Sequence, residues 1–415
     1  SWIARTAAVG TQDDDANGTD AVADESTIAT TCDDGRIILD NGLLRAIIAP
    51  DGTVRSLIDL DNGHELVPDG SGIGHYELLR DEPYEWDAWD IQRDAFLSAE
   101  GIDDSHVERV TETKRGGATV HVSSTTDGVS IDACITLRAK SKSLEFRTKV
   151  DWRASERFLK VDIPMAIQAD RAQYECQYGM VERPIQKNTR SDEAKYESCT
   201  HRFVRVADAG YAAAVVNAST YGSDVSPIHR NTASGPVRGT MIRLSLLSSP
   251  LYPDPNTDKG VHEFAWNVVA DASMPAVLDE ANRLNAAVLP AMPAFDPLAQ
   301  LNPVDGVMVL DWVKLADDGS GDLILRVYEA VGGEAHARLA VNAALGKATV
   351  RECSIMEDAR LDAELPAAFA DGDPSVARTA QGAMLSLHPF QLATLRVSCG
   401  SDGGNTDGNE SGSLR

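Results

Sequence analysis

The chain of 415 residues is long enough for two or three domains, each with a buried core. Its share of hydrophobic residues, 43%, and of charged residues, 25%, is usual for soluble globular proteins. The formal net charge of −26 repels phosphate groups and anionic lipids, which argues against nucleic-acid and membrane partners.

Both ends of the chain have the composition of disordered segments. Residues 11–27 and 401–415 are acidic, contain many small polar residues and hold few large apolar ones. Such segments cannot bury enough surface to offset the entropy lost on ordering. We therefore expect a largely disordered linker over residues 1–34 and a disordered acidic tail over residues 401–415. The first residues, SWIARTAAV, lack the basic start and apolar core of a signal peptide, so no export signal is expected.

Strand patterns dominate residues 35–270. Apolar and polar residues alternate over residues 129–137, with the period of two that is typical of a strand with one buried face. The pairs Asp51-Gly52 and Asp127-Gly128 stand between such runs and favour hairpin turns. Successive antiparallel strands of this kind predict a large β-sandwich over residues 35–270.

Residues 271–305 have a different pattern, which predicts a helix followed by a crossover linker. Ser273 as a cap, an early proline and an apolar face predict one short helix over residues 273–287. The proline-rich stretch over residues 289–303 is expected to cross over without regular structure. Six further strand patterns predict a smaller β-sandwich over residues 306–400. The fold class is therefore all-β.

The six cysteines are scattered and include no CxxC pair. In a chain of this length, the spacing favours reduced cysteines of a cytoplasmic protein over a disulfide framework. None of them lies beside a histidine at a spacing typical of a zinc site.

Several segments in a fixed order resemble the C-terminal half of the family-38 glycoside hydrolases, the α-mannosidases, in their vacuolar and bacterial branch. The segments are LDNGLLRAIIAPDGTVRSLIDLDNGHELVP, WDAWDI, VERPIQKNT, RLSLLSSPLYPDPNTDKGVHEF, LILRVYEA and HPFQLATLRV. Single elements such as LLSSP carry little weight. Their order over more than three hundred residues makes the resemblance specific.

The resemblance implies a retaining α-mannosidase whose large sandwich has the galactose mutarotase-like fold. In this family a catalytic barrel holds zinc or another divalent metal, the nucleophile and the acid/base carboxylate. The histidines here lack the His-x-Asp pattern of that metal site, so we expect no catalytic residue, metal ligand or cofactor in this chain. The expected partners are an α-mannoside, the barrel of the same polypeptide and further subunits of a homo-oligomer.

The resemblance also points to two segments that could line the sugar pocket. The candidate substrate-binding residues are Trp86, Asp87, Trp89, Asp90, Tyr252 and Asp254. Indole rings stack on sugar C–H surfaces, and carboxylates accept hydrogen bonds from hydroxyl groups. The alternative is that the indoles pack against the barrel and the acidic residues only form turns.

Two further alternatives stay open from the residues alone. Arg183, Asn188, Lys195 and Glu197 either line the sugar cleft or form a buried hydrogen-bond network, and the network is favoured. The chain as a whole could instead be a stand-alone carbohydrate-binding sandwich or a structural assembly module. Sugar binding by the chain alone would separate these possibilities.

Overall fold

The computed structural model describes residues 27–113, 116–233, 235–286, 297–342, 347–358, 376–379 and 382–400. These residues divide into two compact units. The larger holds residues 27–177 and 181–286, and the smaller holds residues 178–180 and those from 297 onwards. None of the described helices is long and apolar enough to cross a membrane. The disorder predicted over residues 1–34 and 401–415 lies outside the described residues, apart from residues 27–34.

The larger unit consists mainly of strands. In chain order they are β1 (Ile28–Thr31), β2 (Ile37–Asp40), β3 (Leu44–Ile48), β4 (Val54–Asp59), β5 (His64–Glu65), β6 (His75–Arg80), β7 (Glu100–Gly101), β8 (Asp104–Glu112), β9 (Ala118–Thr126), β10 (Val129–Leu137), β11 (Ser143–Trp152), β12 (Arg157–Met165), β13 (Arg171–Cys176), β14 (Gly179–Pro184), β15 (Ser198–Cys199), β16 (Phe203–Ala207), β17 (Ala212–Ala218), β18 (Gly222–Thr232), β19 (Gly235–Ser248) and β20 (Gly260–Val269). The helices are a 3-10 helix (Arg93–Ser98), α1 (Arg190–Glu193) and α2 (Met274–Asn285).

These strands form three sheets around one hydrophobic core. The sheet orders are β1-β2-β3-β4-β5, β14-β13-β16-β17-β20-β11-β10-β9-β8 and β15-β18-β19-β12-β6-β7. Leu39, Phe146 and Val161, one from each sheet, belong to the same buried cluster. Phe146 also stacks on Trp266 with ring centroids 3.7 Å apart. The predicted all-β class with a large sandwich is confirmed.

Local sequence patterns account for several of these elements. The alternating residues of β10 bury Val129, Ile131 and the other apolar positions on one face. Gly52 and Gly128 adopt φ angles of +81° and +75° in the predicted turns, a region that glycine enters without steric cost. Helix α2 has its predicted Ser273 cap and early proline, and its apolar face is buried.

The smaller unit is a second sandwich. Its strands are β21 (Ala299–Asp305), β22 (Met308–Leu315), β23 (Leu323–Glu329), β24 (Ala335–Val341), β25 (Lys347–Cys353), β26 (Val376–Thr379), β27 (Gly382–Leu387) and β28 (Leu392–Gly400). They form two four-stranded sheets, β21-β24-β27-β26 and β22-β23-β28-β25. Leu339 and Leu385 from the first sheet share a core with Leu325 and Leu395 from the second.

The expectation that residues 289–303 have no regular structure is wrong for their last part. Strand β21 begins at Ala299, and Ala299 and Leu301 enter the core of the smaller unit. Pro303 does not prevent the strand, because β21 lies at the edge of its sheet and its pairing with β24 is irregular beside that proline. The largely disordered linker predicted over residues 1–34 also ends in regular structure, because β1 lies within it and pairs with β2.

Candidate functional site

Strand β12 is buried on both of its faces. Leu159, Val161 and Ile163 enter the hydrophobic core. Because side chains alternate along a strand, Lys160 and Asp162 point to the opposite face of the sheet. Both are buried as well, with 0% and 9% of their surface exposed. A polar layer therefore lies beneath the surface on the outer face of the six-stranded sheet.

The register of the neighbouring strands brings further charges into this layer. Glu77 of β6 lies opposite Lys160, and Arg243 of β19 lies opposite Asp162 and Asp224. The Arg243 guanidinium forms ion pairs with Glu77 at 2.9 Å and with Asp224 at 3.0 Å. Burial raises the pKa of the Glu77 carboxyl, and the nearby Asp162 carboxylate adds to this effect. The layer is thus a set of buried charges whose positions are fixed by strand pairing.

Lys160 is the most deeply buried cation of this layer. Its Nζ lies 2.8 Å from Glu197, 2.9 Å from Asp224 and 2.7 Å from the Ser245 hydroxyl. The ring of Phe96 lies 5.0 Å away, within the range of a cation–π contact. Glu197 therefore belongs to a buried network, which is the interpretation that the sequence favoured for it.

The segment that follows β6 covers this layer. Phe96 of the 3-10 helix lies over both Lys160 and Arg243, and its ring is 5.4 Å from that of Tyr196. The Tyr196 hydroxyl donates a hydrogen bond to the carbonyl of Ile91. These contacts fix the base of the tryptophan loop, a name we give to residues 84–90.

The tryptophan loop presents its aromatic side chains to solvent. Trp86 is 68% exposed, Trp89 is 67% exposed and Tyr84 is 88% exposed. Trp86 has a φ of +63°, which is uncommon for a bulky residue, and its carbonyl accepts hydrogen bonds from the N–H groups of Trp89 and Asp90. A tight, strained turn therefore holds large apolar rings away from the core, a combination that occurs often at binding sites.

Asp87 joins this loop to the proline loop, a name we give to residues 249–255. One oxygen of its carboxylate accepts hydrogen bonds from the backbone N–H groups of Leu251 at 2.7 Å and Tyr252 at 2.8 Å. Hydrogen bonds to an ionised group are stronger than those between neutral groups. The ring of Tyr252 is 67% exposed, so aromatic side chains of both loops are open to solvent.

Asp90 and Asp254 make only local contacts. Asp90 Oδ1 accepts a hydrogen bond from the N–H of Ile91, and Asp254 Oδ1 accepts one from Asn256 at 2.9 Å. The carbonyl of Asp254 also accepts hydrogen bonds from Thr257. Each carboxylate is exposed, and among the described residues neither accepts a hydrogen bond through its second oxygen. The turn-forming role and the sugar-binding role of these residues are therefore compatible.

Asp81 lies directly before the tryptophan loop and is 3% exposed. Its N–H donates to the carbonyl of Glu156, whose own N–H donates to Ser249 of the proline loop. One oxygen of the Asp81 carboxyl is buried without a hydrogen-bond partner. Burial, together with the carboxylates of Asp87, Glu197 and Asp90, raises the pKa of Asp81 to about 6. A buried acid therefore lies behind both loops.

A partly open cavity in the larger unit is too small for a sugar. It has a volume of about 50 Å³ and is lined by residues that include Asp51, His75 and Phe146. That volume holds a few water molecules rather than a pyranose ring. The exposed loops are the better candidate for binding.

The structure places the candidate residues from both segments in one region. Asp87 contacts the backbone of Tyr252, while Trp86, Trp89, Asp90 and Asp254 stay at the surface. Sequence reasoning missed Asp81 and the layer around Lys160. Polar residues at alternate positions of β12 are the sequence signal for this layer. They usually indicate a solvent-exposed face, and they indicate a buried layer only once the strand is known to be buried on both faces.

Family models match most of this fold. Residues 39–256, more than half of the chain, match the glycosyl hydrolases family 38 C-terminal domain. Residues 308–395 match the glycosyl hydrolases family 38 C-terminal beta sandwich domain. The chain belongs to the C-terminal domain family of the family-38 glycosyl hydrolases.

Two curated relatives of the chain are both named as alpha-mannosidases. The chain is 29% identical over 348 residues to Alpha-mannosidase 2C1 of Homo sapiens, covering 78% of this chain and 31% of that protein. It is 26% identical over 405 residues to Alpha-mannosidase of Saccharomyces cerevisiae, covering 89% of this chain and 36% of that protein. The chain therefore spans about a third of the length of these relatives.

Solved structures share the fold. A protein in the glycosyl hydrolase family 38 from Enterococcus faecalis aligns with a TM-score of 0.65 and 15% identity, covering 91% of this chain and 45% of that one. An alpha-mannosidase from the same organism aligns with a TM-score of 0.60 and 15% identity, covering 86% and 42%.

Proposed function

We propose that this chain supplies one wall of the sugar pocket in a retaining α-mannosidase that hydrolyses terminal α-D-mannosides. The contact between Asp87 and the backbone of Tyr252 carries the proposal, because it joins two loops that each expose aromatic rings. The names of the curated relatives support the reaction. Since the chain spans about a third of those proteins, the nucleophile and the acid/base group would come from a catalytic domain of the same polypeptide.

The chemistry of the two loops suits a neutral sugar. The faces of Trp86, Trp89 and Tyr252 offer stacking surfaces, and the free oxygens of Asp90 and Asp254 can accept hydrogen bonds from hydroxyl groups. Retaining glycosidases pass through an oxocarbenium-like transition state in which the sugar ring distorts. Groups that hold the hydroxyls more tightly in that state than in the ground state would raise the rate.

Several properties of the whole enzyme belong to the same proposal. Zinc or another divalent metal would lie in the catalytic domain and would bind the sugar there. The enzyme would have neither nucleic-acid nor membrane partners, which the net charge of −26 supports, and would be cytoplasmic, which the free cysteines support. From the family resemblance, we also propose that it forms a homo-oligomer.

The direct test is hydrolysis of p-nitrophenyl α-mannoside. We expect no turnover by this chain alone and turnover once it is joined to a family-38 catalytic domain. Turnover by the chain alone would contradict the proposal. The rings of Trp86, Trp89 and Tyr252 also favour a second candidate, a stand-alone carbohydrate-binding sandwich. Calorimetric binding of mannose or mannobiose by the isolated chain would support that alternative.

A further inference from the structure

Three potential metal ligands meet on the outer face of the six-stranded sheet. His75, Glu77 and Asp162 each offer one ligand atom, and these atoms all lie within 4.8 Å of one another. His75 and Glu77 share a face of β6 because they are two residues apart. Asp162 of β12 lies directly opposite His75 in the strand register. The backbone pairing of two long strands therefore fixes the group.

Asp162 is buried, and the only basic group paired with it among the described residues is the imidazole of His75. Asp162 is 9% exposed, and its Oδ1 is buried without a hydrogen-bond partner. Its Oδ2 lies 3.7 Å from Nδ1 of His75. Within the described part of the chain, no lysine or arginine is found in an ion pair with this carboxylate. A buried carboxylate oxygen without a partner is costly, so a cation that binds this oxygen would stabilise the group.

The surrounding residues are arranged as they are around metal ligands in other proteins. A histidine that binds a metal through one ring nitrogen usually donates the other N–H to a carboxylate. Here Nε2 of His75 faces Asp103 Oδ1 at 3.6 Å. Arg243 holds Oε2 of Glu77 at 2.9 Å, which leaves Oε1 of Glu77 for a metal. Both contacts would orient the ligands without occupying the binding position.

We propose that His75 Nδ1, Glu77 and Asp162 bind a divalent cation, for which Zn²⁺ is the matching probe. One imidazole and two carboxylates form a donor set that zinc accepts in tetrahedral geometry, with water as the fourth ligand. Bond lengths of about 2.0–2.2 Å place tetrahedral ligand atoms roughly 3.3 Å apart, so the three side chains would have to rotate towards one another when the cation binds. The cation would fasten β6 to β12 ahead of Asp81 and the tryptophan loop.

The test is a titration of the metal-free chain with Zn²⁺, followed by calorimetry and by thermal unfolding. We expect one Zn²⁺ per chain and a Tm that rises with zinc concentration, because a ligand that binds the folded state stabilises it. His75→Ala and Asp162→Asn should each weaken binding by about 100-fold or more, and Asp103→Asn by roughly tenfold. The matched control is His106→Ala, since His106 contacts Glu108 at 2.9 Å in an exposed pair. It should leave the affinity unchanged.

The proposal is overturned if the wild-type chain takes up no zinc at concentrations up to about 100 µM, or if its Tm does not respond. It is also overturned if folded His75→Ala or Asp162→Asn keeps the wild-type affinity, or if His106→Ala abolishes binding. Circular dichroism establishes that each variant is folded. The wild-type titration is decisive even where a variant does not fold.

Discussion

The carboxylate of Asp87 accepts a hydrogen bond from the backbone N–H of Tyr252 at 2.8 Å, across 165 positions of sequence. The same oxygen accepts a second hydrogen bond from Leu251. One side chain thus fastens the tryptophan loop to the proline loop. Each of the two joined loops also exposes aromatic rings to solvent, which is the basis of the proposed function.

Removing the two hydrogen bonds of Asp87 should make the proline loop more mobile. Asp87→Ala deletes two hydrogen bonds, each with a net contribution of roughly 0.5–1.5 kcal/mol, so the free energy of unfolding should fall by about 1–3 kcal/mol. Amide exchange at Leu251 and Tyr252 should accelerate as well. The matched control is Asp90→Ala, whose carboxylate contacts only the neighbouring N–H of Ile91. Unchanged exchange at Tyr252 in Asp87→Ala would show that the contact does not hold the loop.

Asp81 should make stability depend on pH. Its pKa is raised to about 6, so the folded state binds this proton more tightly than the unfolded state. The stabilisation is present below the unfolded pKa near 4 and is lost as pH rises through 6. At pH 8, the free energy of unfolding of Asp81→Asn, measured with urea, should therefore exceed that of wild type. The difference should be at most about 3 kcal/mol, because a shift of one pKa unit corresponds to about 1.4 kcal/mol. At pH 4 the difference should largely vanish.

A general effect of net charge must be separated from the burial of Asp81. Glu82→Gln removes one negative charge at an exposed neighbouring position and is the matched control. Equal stabilisation by Glu82→Gln and Asp81→Asn at pH 8 would attribute the effect to the charge of −26 rather than to burial.

The buried charge of Lys160 should be essential for stability. Lys160→Met has a similar length but leaves Glu197 and Asp224 without their shared cation. Removing one partner of a buried ion pair costs about 3–5 kcal/mol, which urea unfolding would measure. Lys149→Met, at an exposed position of β11, is the control and should change stability by less than about 0.5 kcal/mol. A similarly small loss in Lys160→Met would contradict the importance of the layer.

Local patterns in the sequence were sufficient for much of the fold. The cap at Ser273 and the apolar face of α2 are short-range signals, as is the alternation of β10. Strand β21 was missed because Pro303 is typical of a linker, and only the position of the strand at a sheet edge makes that proline acceptable.

The site depended on long-range contacts that the sequence does not display. The family resemblance points to each of the two loops as a binding segment. It does not reveal that Asp87 connects them, because this contact spans 165 positions of sequence. The group of His75, Glu77 and Asp162 depends on the register of β6 against β12, and no spacing of residues along the chain reveals it. Residue spacing alone therefore predicts no metal ligand at these positions.

The central claim is that the two loops contact the sugar in the transition state, and one comparison tests it most directly. In an enzyme that joins this chain to a family-38 catalytic domain, Asp90→Asn and Asp254→Asn keep the size and the turn contacts of each residue while removing its charge. We expect kcat/KM for an α-mannoside to fall by roughly tenfold or more in each variant, equivalent to about 1.4 kcal/mol, with an unchanged Tm. A lowered Tm with near-normal kcat/KM in both variants would contradict the claim.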